Sequence, residues 1–261
     1  MSPPDYDDSA FPAAVHLSET NDGEVQISSE LEKILVSSRQ SYDWPNGTGT
    51  AVSQQRVIDL EAQVAALIAA LNPANARIII REVCLWGGNN NQAQAAIEDA
   101  SLTTRTNMMF AIRKVMNPSI LGEGLDSLCA VPGIGLVMAT KIYRFCCPDW
   151  GIAVDRHASY FFNSLSVIRS NETMTKATRF NREWANGRHS ISRLAVYHEN
   201  GRVQNRDEFI RSYLPCLTKI ASGLNAKETT YFCAAMGTTK IWRSADVEMA
   251  AYYWWAHNGP R

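Results

Sequence analysis

A chain of 261 residues, 46% apolar and 20% charged, is long enough to bury a substantial core and too apolar to be disordered throughout. Its 25 Lys and Arg nearly balance 26 Asp and Glu, so net charge selects no partner, and its longest apolar run, residues 64–71, is far too short to span a membrane. The N-terminus has neither the basic start nor the apolar core of a secretion signal, and the six cysteines include no C-x-x-C pair; both features point to a cytoplasmic protein with reduced thiols and no iron–sulfur cluster or zinc finger.

In chain order, residues 1–28 mix Pro, Asp, Ser and Gly and predict a mobile or loosely docked acidic arm. The first 32 residues hold eight acids and no Lys or Arg, so the rest of the chain sets 25 basic residues against 18 acids, which permits a polyanionic partner. Residues 53–71 repeat apolar side chains at helical spacing behind a serine cap. Residues 77–86 combine the strand propensity of Ile78, Ile79 and Ile80 with a helical stripe through Val83 and Trp86, and are read as helix in the company of helical neighbours. Further helices are predicted at 91–100, 104–115, 119–128, 135–145, 155–164, 206–224 and 244–257. No strand–helix alternation or internal repeat is present, so the predicted class is mostly α, with one helical domain over 29–261. Between Arg169 and Arg211 nine basic residues accompany five acids, the pattern of a solvated face or a basic one.

The most informative stretch runs Leu128-Cys129-Ala130-Val131-Pro132-Gly133-Ile134-Gly135 into an apolar helix. A Pro-Gly turn joins two packed helices equally well whether or not it binds anything. Where it opens a helix it also turns amides outward, and the N–H groups of Gly133, Gly135 and Val137 would then hold a phosphate oxygen with no regard to base sequence. Sixteen residues after Ala139 stands Asp155, within Val154-Asp155-Arg156-His157. This pairing resembles the helix-hairpin-helix DNA glycosylase superfamily, in which L-P-G-V-G-x-x-x-A precedes V-D-x-H at about this spacing. Trp86-Gly87-Gly88-Asn89-Asn90-Asn91 is similar to the triple-Asn turn of its 8-oxoguanine branch.

The resemblance covers roughly residues 84–165 and implies a helical bundle with the hairpin at about 119–145 and an active-site cleft beside it. It further implies a partner, double-stranded DNA carrying a modified base, and an enzyme acting as a monomer that extrudes one nucleotide and hydrolyses its glycosidic bond to leave an abasic site. Asp155 would be the catalytic carboxylate facing the oxocarbenium-like sugar, although an Asp ahead of Arg156 is also a plain helix cap. His157, Asn89, Asn90 and Asn91 would join the hairpin amides in contacting DNA. Asp246, Tyr253 and Trp86 would line the base pocket, with Tyr252, Trp254, Trp255 and Trp44 as further aromatic candidates. The carbonyls of Cys129, Val131 and Ile134 would hold a structural Na⁺ or K⁺, and no other cofactor is expected.

The chain departs from the branch in three ways. Its N-terminal sheet domain has no visible counterpart, the segment from Asn89 to the hairpin is short, and Val137 occupies the position of the lysine that bifunctional members use as nucleophile. Valine cannot attack C1′, which implies monofunctional hydrolysis. Lys141, one helical turn on, is either a displaced nucleophile supporting lyase chemistry or a solvated or phosphate-facing lysine. Substrate expectations are a bulky modified base of phage DNA, with a role in defence, or an oxidised or damaged base in excision repair. A DNA-binding module that kept the hairpin and lost catalysis is the non-enzymatic alternative. In a bacterium such a protein would associate with the nucleoid.

Overall fold

The computed structural model describes residues 11, 14–19, 25–44, 48–88, 91–169, 178–179 and 206–259. Among these the chain is mostly helical, as its periodicities predict. It divides into two compact units, one drawn from Met1–Gln55, Asp155–Ile191 and Pro215–Arg261, the other from Arg56–Val154 and Ser192–Leu214. Among the described residues no helix is long and apolar enough to cross a membrane.

Helix α1 spans Ser29–Gln40 and α2 spans Thr50–Ala69. The central unit then builds on α3 (Pro73–Trp86), α4 (Asn91–Glu98), α5 (Leu102–Val115), a single 3₁₀ turn (Pro118–Ile120), α6 (Leu121–Cys129) and α7 (Leu136–Cys146). The isoleucine run resolves as helix because Asn72 caps it, accepting from the amides of Ala74 and Asn75, and Pro73 supplies a fixed φ where no N–H is needed. One face of α3 then buries Ile79, Ile80 and Val83. Helix α3 packs on α5 and α7, and α5 on α6. Gly124 permits that last contact: a Cβ there would stand 2.5 Å from the Val115 nitrogen. The predicted helix from 206 has a π-helical turn at Phe209–Tyr213, where the Leu214 N–H reaches back to the Phe209 carbonyl, just before a proline that has no N–H to give.

The other unit holds α1, α8 (Arg156–Ser164), most of α9 (Leu214–Ala226) and α10 (Ser244–Asn258). Helix α10 packs against both α1 and α8. It also contains two sheets: β1 (His16–Glu19), β2 (Val25–Ile27), β3 (Ser166–Arg169) and β4 (Thr178–Arg179) in the order β2-β1-β3-β4, and the hairpin β5 (Tyr231–Cys233) with β6 (Thr238–Lys240). β1 runs parallel to β3, with Leu17 opposite Val167, and the other pairings are antiparallel.

Within the arm expected over 1–28 as mobile or loosely docked, several of the described residues are packed into the fold. Val15, Leu17 and Ile27 are buried, and Phe11 stacks on Trp254 at 4.5 Å while meeting Phe161 edge-on at 5.0 Å. Burying these apolar groups offsets the entropy of ordering the described residues around them. Where one helical domain is expected over 29–261, the chain divides into the two compact units given above, the first of which resumes at Asp155. Much of the 169–211 stretch lies outside the described residues.

Candidate active site

The glycine turn is built by local hydrogen bonds. As α6 ends, the amides of Ala130 and Val131 bond to the carbonyls of Asp126 and Leu128, and the Ile134 N–H closes the turn onto the Val131 carbonyl at 3.0 Å. Gly133 sits at φ +80°, a conformation glycine adopts without strain. Val131, Ile134 and Leu136 are buried as anchors, whereas Gly133, Gly135 and Val137 are the part-exposed positions between and after them. Gly135 is the N-cap of α7 and has no side chain with which to accept the first-turn amides. Its φ of −92° suits any residue, and a Cβ would meet nothing within 4 Å. Neither its conformation nor packing among the described residues demands a glycine there. Of the three candidate cation-holding carbonyls, that of Val131 is already engaged by Ile134, so only its second lone pair remains. Among the described residues no cluster of His, Cys, Asp or Glu forms a metal site.

Lys141 and Trp86 come together, in a packing role. Lys141 is 8% exposed, and its Nζ donates to the carbonyl of Gly87, the residue that ends α3, at 2.9 Å. An ammonium at a helix C-terminus completes both a hydrogen bond and the helix dipole. Gly87 eases this approach, since a Cβ would stand 3.0 Å from Lys141 Cδ and Met138 Cε and oblige those side chains to shift. Trp86 meets Phe145 edge-on at 4.8 Å, with Lys141 Nζ 5.7 Å from its ring centre. Beside it Arg144, fully buried, pairs with Glu61 at 2.9 Å. Burial pushes the nearby Cys84 thiol up to about 11, against the opposing charge of Lys141, so the thiol stays protonated. The structure thus gives Lys141, expected as a displaced nucleophile or a solvated or phosphate-facing lysine, and Trp86, expected as a base-pocket wall, a shared place at the end of α3. Lys141→Ala is expected to lower stability by about 1.5–3 kcal/mol in denaturant titration, the range for a charged hydrogen bond, without removing any borohydride-trapped DNA adduct.

Asp155 follows a tethered residue. The Val154 amide donates to Thr140 Oγ1 at 3.1 Å, and that hydroxyl donates to the Val137 carbonyl at 2.9 Å. Thr140 and Val154 are fully buried. Asp155 is then the N-cap of α8: Oδ1 accepts from the His157 amide at 2.9 Å, and its carbonyl accepts from the Ser159 hydroxyl at 2.7 Å. Oδ2 makes no hydrogen bond among the described residues, and the side chain is part-exposed. Two residues on, the His157 ring meets Tyr252 edge-on at 5.4 Å; Tyr252 in turn meets Trp44 at 5.4 Å and Tyr42 at 6.4 Å. A half-tied carboxylate thus opens a helix whose first turn borders an aromatic cluster.

The aromatic that α10 sends to this cluster is Tyr252. Tyr253 instead stacks on His257 at 4.1 Å, and the His257 ring contacts the Tyr253 carbonyl. Asp246 lies elsewhere too, fully buried between Arg39 at 2.9 Å and Arg243 at 3.1 Å. Burial alone would raise its pKa, but the two guanidiniums, with a hydrogen bond from Tyr231, hold it far below the usual carboxylate value. Its Oδ2 also accepts the Arg243 amide as half of a capping box. The acid three residues after the N-cap Arg243 carried that signal, and a carboxylate so occupied has no capacity left for a base. Asn89 and Asn90 lie outside the described residues, as does the side chain of Asn91, which opens α4. Thr140 escaped sequence reasoning; its signal is a lone hydroxyl on the buried face of an apolar helix.

Compared with protein-family models, curated proteins and solved structures, the chain matches none.

Proposed function

We propose that this chain is a monofunctional DNA glycosylase of helix-hairpin-helix type, which everts a modified nucleotide from duplex DNA and hydrolyses its glycosidic bond. The observation that carries the reading is the hydrogen-bond chain Val137–Thr140–Val154. It ties the residue before Asp155 to the helix that the glycine turn opens, and the sequence motif has both parts at the matching spacing. In this reading the turn amides and the cap-less start of α7 hold a DNA phosphate. The free oxygen of Asp155 faces the sugar as positive charge builds at C1′ and orients the attacking water, while His157 contacts a neighbouring phosphate. Valine at position 137 and the engagement of Lys141 with Gly87 favour water over an amine as nucleophile.

The substrate class we favour is a bulky modified base of phage DNA, with repair of oxidised or damaged bases as the second. Mass spectrometry of bases released from damaged, normal and phage DNAs tests both, and release from none of them overturns the proposal. A second test isolates the turn. Gly135→Ala is expected to cost at most about 1 kcal/mol of stability, the price of alanine at a cap, while weakening duplex binding about tenfold through the displaced phosphate. Unchanged affinity in a fluorescence polarisation titration removes the phosphate role. A DNA-binding module without chemistry is the second reading, favoured by the fact that capping α8 is by itself a sufficient task for Asp155.

A further inference from the structure

The hairpin β5–β6 exposes large apolar side chains on a rigid support. Its pattern alternates, with Tyr231 and Cys233 buried and Phe232 between them 47% exposed. Phe232 pairs across the ladder with Thr239, and Ile241, two residues on from Thr239, continues that same outer face at 69% exposure. Met236 stands 46% exposed in the connecting turn, where Gly237 takes φ +64° and both residues' amides bond to the Cys233 carbonyl. The buried Gln54 locks the turn: its Oε1 accepts from the amides of Ala234 and Ala235 at 2.8 and 3.4 Å, while its Nε2 donates to the Gln40 carbonyl at the end of α1. From Thr229 to Ala245 the chain carries Lys240, Arg243 and four threonines but no acid.

We propose that this hairpin is a wedge that enters the base stack of duplex DNA, Phe232 and Met236 occupying the step vacated by the everted nucleotide. The proposal rests on the glycosylase reading and adds the surface that would hold the duplex open. An acid-free ribbon with hydroxyls and a lysine suits a polyanion, and apolar side chains that part base steps are how proteins kink DNA. Three exposed side chains fall well short of the roughly 800 Å² per partner of a stable protein interface, which argues against a second copy as occupant. The hairpin belongs to the same unit as Asp155, and β5 packs on α1, which packs on α10.

The test titrates the full-length protein against a fluorescent duplex, intact or carrying one tetrahydrofuran abasic analogue. Wild type is expected to prefer the gapped duplex, and Phe232→Ala with Met236→Ala to lose that preference by about tenfold, as for one lost base–aromatic stack, while binding the intact duplex within twofold of wild type. Phe232→Trp, which keeps an aromatic on the same exposed site, is expected to retain the preference and so separates loss of the wedge from loss of the fold. Three outcomes overturn the wedge and leave the glycosylase reading standing: no preference in wild type, preference retained in the alanine variant, or a wild-type dimer in size-exclusion chromatography that the variant dissolves. Failure of wild type to bind either duplex overturns both.

Discussion

Asp155→Asn is expected to abolish base release, by at least a hundredfold, while leaving duplex affinity and folding stability close to wild type. The argument begins with the cap. Asparagine and aspartate are about equal at an N-cap, because either side chain offers an oxygen to the amide two residues on, here that of His157. The substitution therefore keeps the hydrogen bond that opens α8 and the tether through Val154. What it removes is a full negative charge on the oxygen that the cap leaves free. A neutral amide stabilises an oxocarbenium-like sugar poorly and cannot take a proton from water, and deleting a comparable fixed electrostatic group in other enzymes costs about 10²–10³ in rate. Asp155→Ala separates the two roles, since it should also cost about 1 kcal/mol in thermal unfolding through the lost cap. A variant Asp155→Asn that releases bases at the wild-type rate, in single-turnover assays on any DNA that wild type processes, leaves Asp155 a cap and the chain a binding module.

Asp246→Asn should lower stability by about 3–5 kcal/mol, because it leaves Arg39 buried with no counter-charge. The cluster joins α1, β5 and α10 through Arg39, Tyr231 and Arg243, so its failure loosens the support of both Tyr252 and the hairpin. The pH dependence has a definite sign. A carboxyl held below its ordinary value of 3.8 contributes its full stabilisation above that value, and loses it progressively as pH falls from there toward the depressed folded value. Wild type should therefore lose stability steeply below about pH 4, while Asp246→Asn, already deprived of the pair, shows a flatter profile over the same range. Denaturant midpoints measured between pH 2 and 7 check both statements, and parallel curves for the two proteins exclude the assignment.

Much of the helical architecture was legible because apolar side chains recur every three to four residues along α2, α3, α5 and α7, and because Asn72, Ser101 and Asp155 are good caps at the right places. Helix α1 was not, since its buried face is completed by Ser38 and Arg39 beside Leu31 and Leu35, leaving a short and partly polar stripe. The sheets escaped for a different reason: strands of two to four residues hold too few alternations to register, and β1 finds its parallel partner about 150 residues away. In the candidate site, Asp155 and His157 stood out through spacing, and the glycine turn through its composition. The choice between Tyr252 and Tyr253 could not be made from four consecutive aromatics on a helix buried on most sides, because neighbouring positions then differ only in which part of the fold they meet. The pocket role expected of Asp246 came from the resemblance alone, and its pairing with Arg39, 207 residues away, is visible only in the folded chain.

The aromatic cluster beside Asp155 draws on three passages of the chain, with Tyr42 and Trp44 near its beginning, His157 past its middle and Tyr252 close to its end. The glycine turn needs only the central passage. During synthesis, the turn can therefore form while the ribosome still holds the last helix, but the ring that meets His157 emerges only with residue 252. On the glycosylase proposal, a nascent chain would acquire its phosphate-binding turn before the aromatic enclosure beside Asp155, and base release would wait until residue 252 has left the ribosome.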